Sequence, residues 1–137
     1  MLLAQYSILI VEVHCKMDVN YLEDIKNRMT HDNYLPGSGW HELIIDLHKK
    51  LVMLDPDYKI IQIKEKFGSL RYYYTTEVRE SAVREAMQRY VAQAETVSKN
   101  MCESCGGKSE IRKTKTGWLK AFCDECLRTR ALEGMSM

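Results

Sequence analysis

Four cysteines near the C-terminus constrain what this chain can fold into more than any other feature. Cys102 and Cys105 form one C-x2-C pair, Cys123 and Cys126 form a second, and seventeen residues separate the two pairs. Two thiolates from one tight turn bind one side of a tetrahedral ion, and a second pair completes the coordination. The spacing therefore predicts a structural Zn²⁺ site with all four cysteines as ligands.

Other uses of paired cysteines are weaker alternatives. A disulfide framework fits poorly with a total of five cysteines. It also fits poorly with residues 1–13, which lack a basic n-region and a small-residue cleavage site. A thioredoxin-like motif needs one C-x-x-C after a strand in a βαβ unit, and the pattern does not indicate that setting. An iron–sulfur cluster stays open, although two-plus-two spacing on a hairpin is more typical of zinc.

The residues around the cysteine pairs predict a small finger. Gly106 and Gly107 follow Cys105, where the chain must turn so that backbone N–H groups point at sulfur. Residues 110–114 and 118–122 predict two strands joined by a turn, and residues 124–133 predict a short helix. Acidic residues in the first turn and arginines later suit the helix dipole. We therefore expect residues 101–137 to form a zinc finger of ribbon or treble-clef type.

Residues 1–100 predict an α+β body. Strands are expected over residues 2–13, 58–66 and 70–75, the last two forming a hairpin around Gly68. Helices are expected over residues 20–30, 40–54 and 77–100, with Ser38 or Gly39 as the cap of the second. Apolar residues recur at helical spacing in the last two helices, namely Trp40, Leu43, Ile44, Leu47, Leu51, Leu54, then Val83, Met87, Tyr90, Ala94, Val97, Met101. The order helix, antiparallel hairpin, long helix predicts an αββα body that runs into the finger without a flexible linker.

Length and composition limit the classes of function. The chain has 137 residues and no apolar run long enough to cross a bilayer. Together with the cysteine usage, this leads us to expect a cytoplasmic protein without a membrane partner. The formal net charge is +1, with an acidic first part and a basic remainder. That balance is not the strongly basic one of a dedicated nucleic-acid binder.

A basic and aromatic surface is the main candidate for partner binding. The body hairpin offers groups that suit phosphates and bases, although strand alternation predicts that one or two of its tyrosines belong to the core. The finger hairpin is also basic, and its fold does not decide between a nucleic acid and a protein. The candidate set is Lys64, Lys66, Arg71, Tyr72, Tyr74, Arg112, Lys113, Lys115, Trp118 and Lys120.

Two weaker patterns point to other chemistry. Asp57, Gln62 and Lys64 sketch a PD-(D/E/Q)-x-K nuclease core, but the short interval between Asp57 and Gln62 is tight for the two-strand geometry of such a site. His41 and His48 lie two turns apart on one predicted helix, too far to share an ion, so ordinary surface histidines are expected. We therefore expect no catalysis.

Several motifs together resemble a family of small proteins from bacteriophages and prophages. They are G-W-H-E-L-I at residues 39–44, Q-I-K-E-K-F-G-S-L-R-Y-Y at residues 62–73, and the four cysteines with G-W-L-K at residues 117–120. The family pattern reads roughly G-W-x-x-L-I, then V-K-E-K-F-G-G-L-R-F-Y, then a four-ligand finger. Here Ser69 and Tyr72 replace its second Gly and its Phe.

The resemblance implies a zinc site and a viral or mobile-element context, and it implies no mechanism. On this basis we expect a non-catalytic accessory protein that binds a host protein and inhibits a host or defence enzyme. A nucleic-acid-binding finger protein is the alternative, and a nuclease is a more distant one.

Overall fold

The computed structural model describes residues 21–31 and 34–132, which combine helices with two antiparallel hairpins. The elements are α1 (the helical residues 21–28), a 3₁₀ turn Ser38–Trp40, α2 His41–Leu54, β1 Lys59–Lys66, β2 Ser69–Thr75, α3 Ser81–Ser98, β3 Glu110–Lys113, β4 Leu119–Phe122 and α4 Asp124–Leu132. The α+β class is confirmed. The strand predicted over residues 2–13 lies outside the described residues.

The body hairpin β1–β2 is closed by a two-residue turn. Lys66 pairs with Ser69, and the two turn residues Phe67 and Gly68 both have positive φ, +54° and +84°. Turns with two positive φ angles match the right-handed twist of the flanking strands. A bulge between Ile60 and Gln62 shifts the alternation near the start of β1.

The core lies between this hairpin and the helices α2 and α3. Removal of the core side chains from water is the main favourable term in the folding free energy of the body. The predicted apolar stripe of α2 supplies Trp40, Ile44, Leu47 and Leu51, and the rest of the buried core includes Ile25, Tyr58, Ile60, Ile63, Leu70, Tyr72, Met87, Val91 and Ala94.

The helix α3 differs from its prediction in its start and in its buried face. It begins at Ser81 rather than at residue 77, because the N–H of Val78 donates to Thr76 Oγ1 (3.2 Å) and the chain there is not helical. Its buried residues include Val91, whereas the predicted Val97 is exposed. The seam therefore faces the hairpin at a slightly rotated angle.

Side chains of α3 cover the outer edge of β2. The N–H of Leu70 donates to Ser98 Oγ (2.8 Å), and the N–H of Tyr72 donates to Glu95 Oε2 (2.9 Å). An uncovered strand edge is a template for aggregation, so these two bonds both satisfy the edge and fix α3 against the hairpin.

A chain of four polar side chains crosses the core beneath α2. His48 is fully buried, so the prediction that it is a surface histidine is wrong. Its Nε2 lies 2.8 Å from Asp24 Oδ2, its Nδ1 lies 2.5 Å from the Tyr58 hydroxyl, and that hydroxyl lies 2.6 Å from the hydroxyl of Tyr72. A carboxylate only accepts, so Nε2 carries the proton, and Nδ1 accepts from Tyr58.

Burial shifts the pKa values of three of these side chains, His48, Tyr58 and Tyr72. It lowers the pKa of His48 below its ordinary value of 6.5, and the hydrogen bond and charge of Asp24 act in the opposite direction without outweighing it. Burial also raises the pKa values of Tyr58 and Tyr72, which keeps both hydroxyls protonated as donors. The folded protein therefore favours a neutral His48.

We expect the stability supplied by His48 to decline on mild acidification. The unfolded chain takes up a proton near pH 6.5 while the folded chain resists it, so this contribution is present above pH 6.5 and is lost as the pH falls toward the folded pKa. Urea unfolding of the wild-type protein and of His48→Gln, measured from about pH 7.5 to about pH 5.5, checks this. The difference between their unfolding free energies should shrink with acidification, and comparison of the two proteins cancels the titration of other groups. A constant difference would contradict the assignment.

Candidate metal centre and adjoining surface

The finger hairpin brings the two cysteine pairs to one place. Cys102 follows Met101, which is bridged to Lys108 across the first turn, and Cys123 directly follows β4. Cys126 lies in the first turn of α4. Since β3 and β4 pair antiparallel, the end of β4 returns to the start of β3 and to the first cysteine turn.

The four sulfur atoms are spaced for one ion. All four Sγ atoms lie within 4.8 Å of one another, and those of Cys105 and Cys123 are 3.7 Å apart. A tetrahedral ion with metal–sulfur bonds of about 2.3 Å separates its ligands by about 3.8 Å, whereas a disulfide bond is about 2.05 Å long. The four cysteines are free thiols in this arrangement. The geometry fits a metal ion and not a pair of disulfides.

Backbone N–H groups point at the sulfurs, as the glycines after Cys105 predict. The N–H of Gly107 donates to Cys105 Sγ, and that of Cys126 donates to Cys123 Sγ, both at 3.4 Å. Burial alone would raise the pKa of Cys102, but backbone N–H groups around its sulfur lower the pKa to about 7. These donors favour thiolates, the form that binds metal.

Crowding works against four thiolates in the absence of a cation. Burial and the neighbouring cysteine thiols raise the pKa of Cys126 to about 12. Like charges this close disfavour ionisation, and a bound cation reverses that effect. Metal binding is therefore expected to release protons from the cluster.

Arg112 holds the helix after the second pair against the hairpin. It donates from Nη1 to Asp124 at the start of α4, and its Nη2 lies 3.9 Å from Glu110. The prediction placed Arg112 on a partner-binding surface. Its charge is instead engaged within the finger.

The loop before α2 is bonded to the first cysteine turn. The N–H of Gly39 donates to the carbonyl of Glu103 (2.8 Å), and Trp40 Nε1 donates to the carbonyl of Met101 (2.8 Å). The N–H of Gly37 donates to Glu103 Oε2 (3.0 Å), and Glu103 is buried. We call these contacts the knuckle junction, and they join body and finger directly.

Gly39 is required by the closeness of this approach. A Cβ at Gly39 would lie 2.6 Å from the carbonyl oxygen of Glu103 and 2.6 Å from the amide nitrogen of Gly106, both backbone atoms. The prediction that Ser38 or Gly39 caps α2 is wrong, because Trp40 occupies the cap position and no side chain caps the helix. Close backbone packing explains the Gly-Ser-Gly-Trp run instead.

A second contact joins the hairpins. Lys120 Nζ donates to Glu65 Oε2 at 2.8 Å, and both side chains are largely buried. Next to it, Ile111 of β3 packs against Gly68 in the turn of the body hairpin. Lys120 was predicted to bind a partner, but its ammonium group is used to tie β4 to β1.

The body hairpin exposes a different tyrosine from the two predicted. Tyr72 is buried in the core, so its ring does not reach the surface, and Tyr74 is partly buried against the core. Tyr73 faces outward, 41% exposed, with Lys64 Nζ 5.7 Å from its ring centroid. Strict alternation from Leu70 would have assigned Tyr73 to the outer face. The prediction named Tyr72 and Tyr74, which lie on the inner face of the strand, in place of Tyr73 on the outer face.

The two hairpin turns enclose a groove of about 530 Å³ that the sequence did not reveal. Residues 64–67 and 116–119 line it, and we call it the hairpin groove. Its two aromatic side chains, Phe67 and Trp118, are 62% and 66% exposed. Lys64 and Lys66 line the same groove, and Lys113 and Lys115 lie exposed on the finger hairpin beside it.

Phe67 has an unfavourable backbone conformation. Its φ of +54° lies in the left-handed region, where a bulky side chain costs roughly 1–3 kcal/mol. Asn or Gly suits this turn position better. An exposed phenyl ring returns little of that free energy through burial, so the residue is costly for folding.

Among the described residues, no group of side chains placed to hold an ion includes the residues of the nuclease pattern. Asp57 lies in the turn after α2, and Gln62 and Lys64 lie on β1. Within residues 21–31 and 34–130, the four cysteines are the only group of three or more His, Cys, Asp or Glu side chains placed to hold an ion. The nuclease hypothesis stays a prediction without structural support.

Comparisons with known proteins leave the resemblance to phage proteins as a prediction. No family model matches this chain, and neither does a curated protein or a solved structure. In the part of the chain that the structure describes, no helix has both the length and the apolar character needed to cross a membrane.

We expect Gly39→Ala to destabilise the protein by about 2 to 3 kcal/mol, because the added methyl group forces the knuckle junction apart. Ser38→Ala is the matched control, since its exposed hydroxyl makes one long bond to the Ser104 carbonyl (3.4 Å) and its loss should cost under about 0.5 kcal/mol. Urea unfolding of the metal-loaded proteins measures both. Equal unfolding free energies of the two variants would show that the knuckle junction does not contribute to the stability of the fold.

Proposed function

We propose that this protein is a non-catalytic, zinc-stabilised binding factor. The observation that carries the proposal is the cluster formed by Cys102, Cys105, Cys123 and Cys126, whose sulfurs all lie within 4.8 Å of one another. Four thiolates this close would repel one another without a cation, and the cluster matches the ligand set of a structural metal site.

Zinc is the ion that this ligand set favours. Four thiolates in a tetrahedral arrangement are typical of Zn²⁺, and the sulfurs span the distance expected for a single ion. A cluster with several irons distributes its cysteines over more than one metal and needs a wider set. A site with four protein ligands has no open position for water or substrate, so we assign it a structural role.

We further propose a treble-clef arrangement for the finger. The first pair lies in a turn before β3, the hairpin β3–β4 follows, and the second pair lies at the start of α4. This order, with a helix carrying the last ligand, supports a treble clef over a simple ribbon. A metal supplies the folding free energy that such a small core cannot.

The binding surface is assigned to the region where body and finger meet. Exposed or partly exposed apolar side chains from both hairpins are found there, namely Phe67, Ile111, Trp118 and Leu119. Folded proteins seldom expose several large apolar side chains together without a partner. Because the finger carries three of these four side chains, binding should depend on the metal.

Two partner classes suit this surface. The resemblance to phage proteins supports a host protein in the cytoplasm, such as a host or defence enzyme that the factor inhibits. A nucleic acid is the second candidate. The partly exposed Lys64 and the exposed Lys66, Lys113 and Lys115 beside exposed aromatic rings favour it.

The purified protein is expected to contain one zinc ion per chain. Cys123→Ser removes one of four ligands and should lower zinc content at least tenfold at equal free zinc, and it should unfold residues 102–126, because metal binding and folding of the finger are coupled. Elemental analysis and hydrogen exchange measure the two effects. Cys15→Ser is the matched control, since Cys15 belongs to neither C-x2-C pair of the sequence.

A metal-free finger that keeps its hydrogen-exchange protection after chelation would contradict the proposal. So would a Cys15→Ser variant that loses zinc as readily as Cys123→Ser.

A further inference from the structure

We propose that the hairpin groove binds single-stranded nucleic acid, with bases stacked on Phe67 and Trp118 and phosphates bound by Lys64 and Lys66. The inference rests on the proposed binding function and assigns a partner class to one surface. It is carried by the exposed rings, the backbone at Phe67 and the charge of the groove.

Two exposed aromatic rings from different hairpins line the same groove. Phe67 comes from the turn of the body hairpin, and Trp118 comes from the finger hairpin. Each is more than half exposed, at 62% and 66%. Aromatic side chains along a basic groove offer stacking faces to successive unpaired bases, independent of sequence.

The backbone at Phe67 indicates that its ring serves a ligand. The residue adopts φ +54° in a turn that Asn or Gly would occupy more readily, and its ring is exposed to solvent. The two-residue turn requires a positive φ at this position, but it does not require a phenylalanine, whose side chain is strained there and gains little from burial. Strained residues of this kind cluster at binding sites, where the surrounding structure maintains them.

The charge of the groove is positive where a phosphate would lie. Glu65, the acidic residue in its lining, is paired with Lys120 and accepts the N–H of Gly68 (2.8 Å). Within the described residues, no salt bridge engages Lys64 or Lys66, whose ammonium groups instead lie near aromatic rings. Both lysines are therefore available to an external anion.

A single-stranded nucleic acid fits this surface better than a protein does. Lysine is depleted in the cores of protein interfaces, yet here two lysines line the groove together with the two rings. Stacking needs bases with free faces, which a duplex does not offer. The near-neutral net charge of +1 also means that binding must come from this local patch rather than from overall attraction.

Fluorescence anisotropy with a labelled twelve-nucleotide oligothymidylate tests the groove. Phe67→Asn should weaken binding between about 5-fold and 150-fold, the range for loss of one stacked base. The same change places Asn-Gly in the turn, so the unfolding midpoint should stay equal or rise. Trp118→Ser should weaken binding to a similar degree. Met53→Ser, which removes an exposed side chain on α2, is the control and should bind like the wild type.

The salt dependence of the same titration tests the lysines. For a single strand, the loss of one phosphate contact should reduce the slope of log affinity against log salt by about 0.7. The double variant Lys64→Ala, Lys66→Ala should therefore reduce the slope by about 1.4. Lys26→Ala, an exposed lysine on α1, should leave the slope unchanged.

Metal content is measured on every sample, so the two proposals fail separately. Zinc-loaded wild-type protein that does not bind the oligonucleotide would overturn the groove proposal alone. So would binding that Phe67→Asn and Trp118→Ser leave unchanged. If these variants instead lose a protein captured from nuclease-treated bacterial lysate, and no oligonucleotide binds, the groove is a protein-docking surface and the inference is wrong. Protein without zinc would overturn the zinc proposal.

Discussion

The backbone contact between the loop before α2 and the first cysteine turn is the constraint on which the rest of the structure depends. Gly39 and Trp40 donate to carbonyls of Glu103 and Met101, so the turn that carries the first two sulfurs is built partly by the body. The salt bridge between Lys120 and β1 makes a second attachment. The finger therefore contributes to one structural unit with the helices and the body hairpin, and the hairpin groove exists only because the two are joined.

This coupling explains how a small finger can be ordered. Its own buried apolar residues are few, mainly Ala121 and Phe122, and Arg130 stacks on the Phe122 ring at 4.5 Å. Such a core cannot offset the conformational entropy of more than twenty ordered residues. The proposed metal ion and the contacts with the body supply the difference. Conversely, loss of the ion is expected to release the knuckle junction and to loosen the start of α2.

The sequence predicts the features that depend on the spacing of neighbouring residues. It does not predict the features that depend on contacts between segments that are distant along the chain. Apolar residues at steps of three and four predict the stripe of α2, and alternation with a period of two predicts both hairpins. The C-x2-C spacing predicts the cysteine cluster. The burial of His48 could not be foreseen because its partners Asp24 and Tyr58 come from other segments of the chain, and Tyr58 is in turn bonded to Tyr72. In the sequence, Gly39 resembles a helix cap, because the sequence does not show that the backbone of the finger packs against it. The exposure of Phe67 depends on where two hairpins meet, which no local pattern records.

The coordination of the metal tests the central claim most directly. X-ray absorption at the zinc edge, measured on protein purified without added metal, should show four sulfur atoms at about 2.3 Å and no lighter ligands. That result would establish a closed, structural site built from the two cysteine pairs. A spectrum with nitrogen or oxygen ligands, or protein that contains no zinc and has its cysteines in disulfides, would contradict the account.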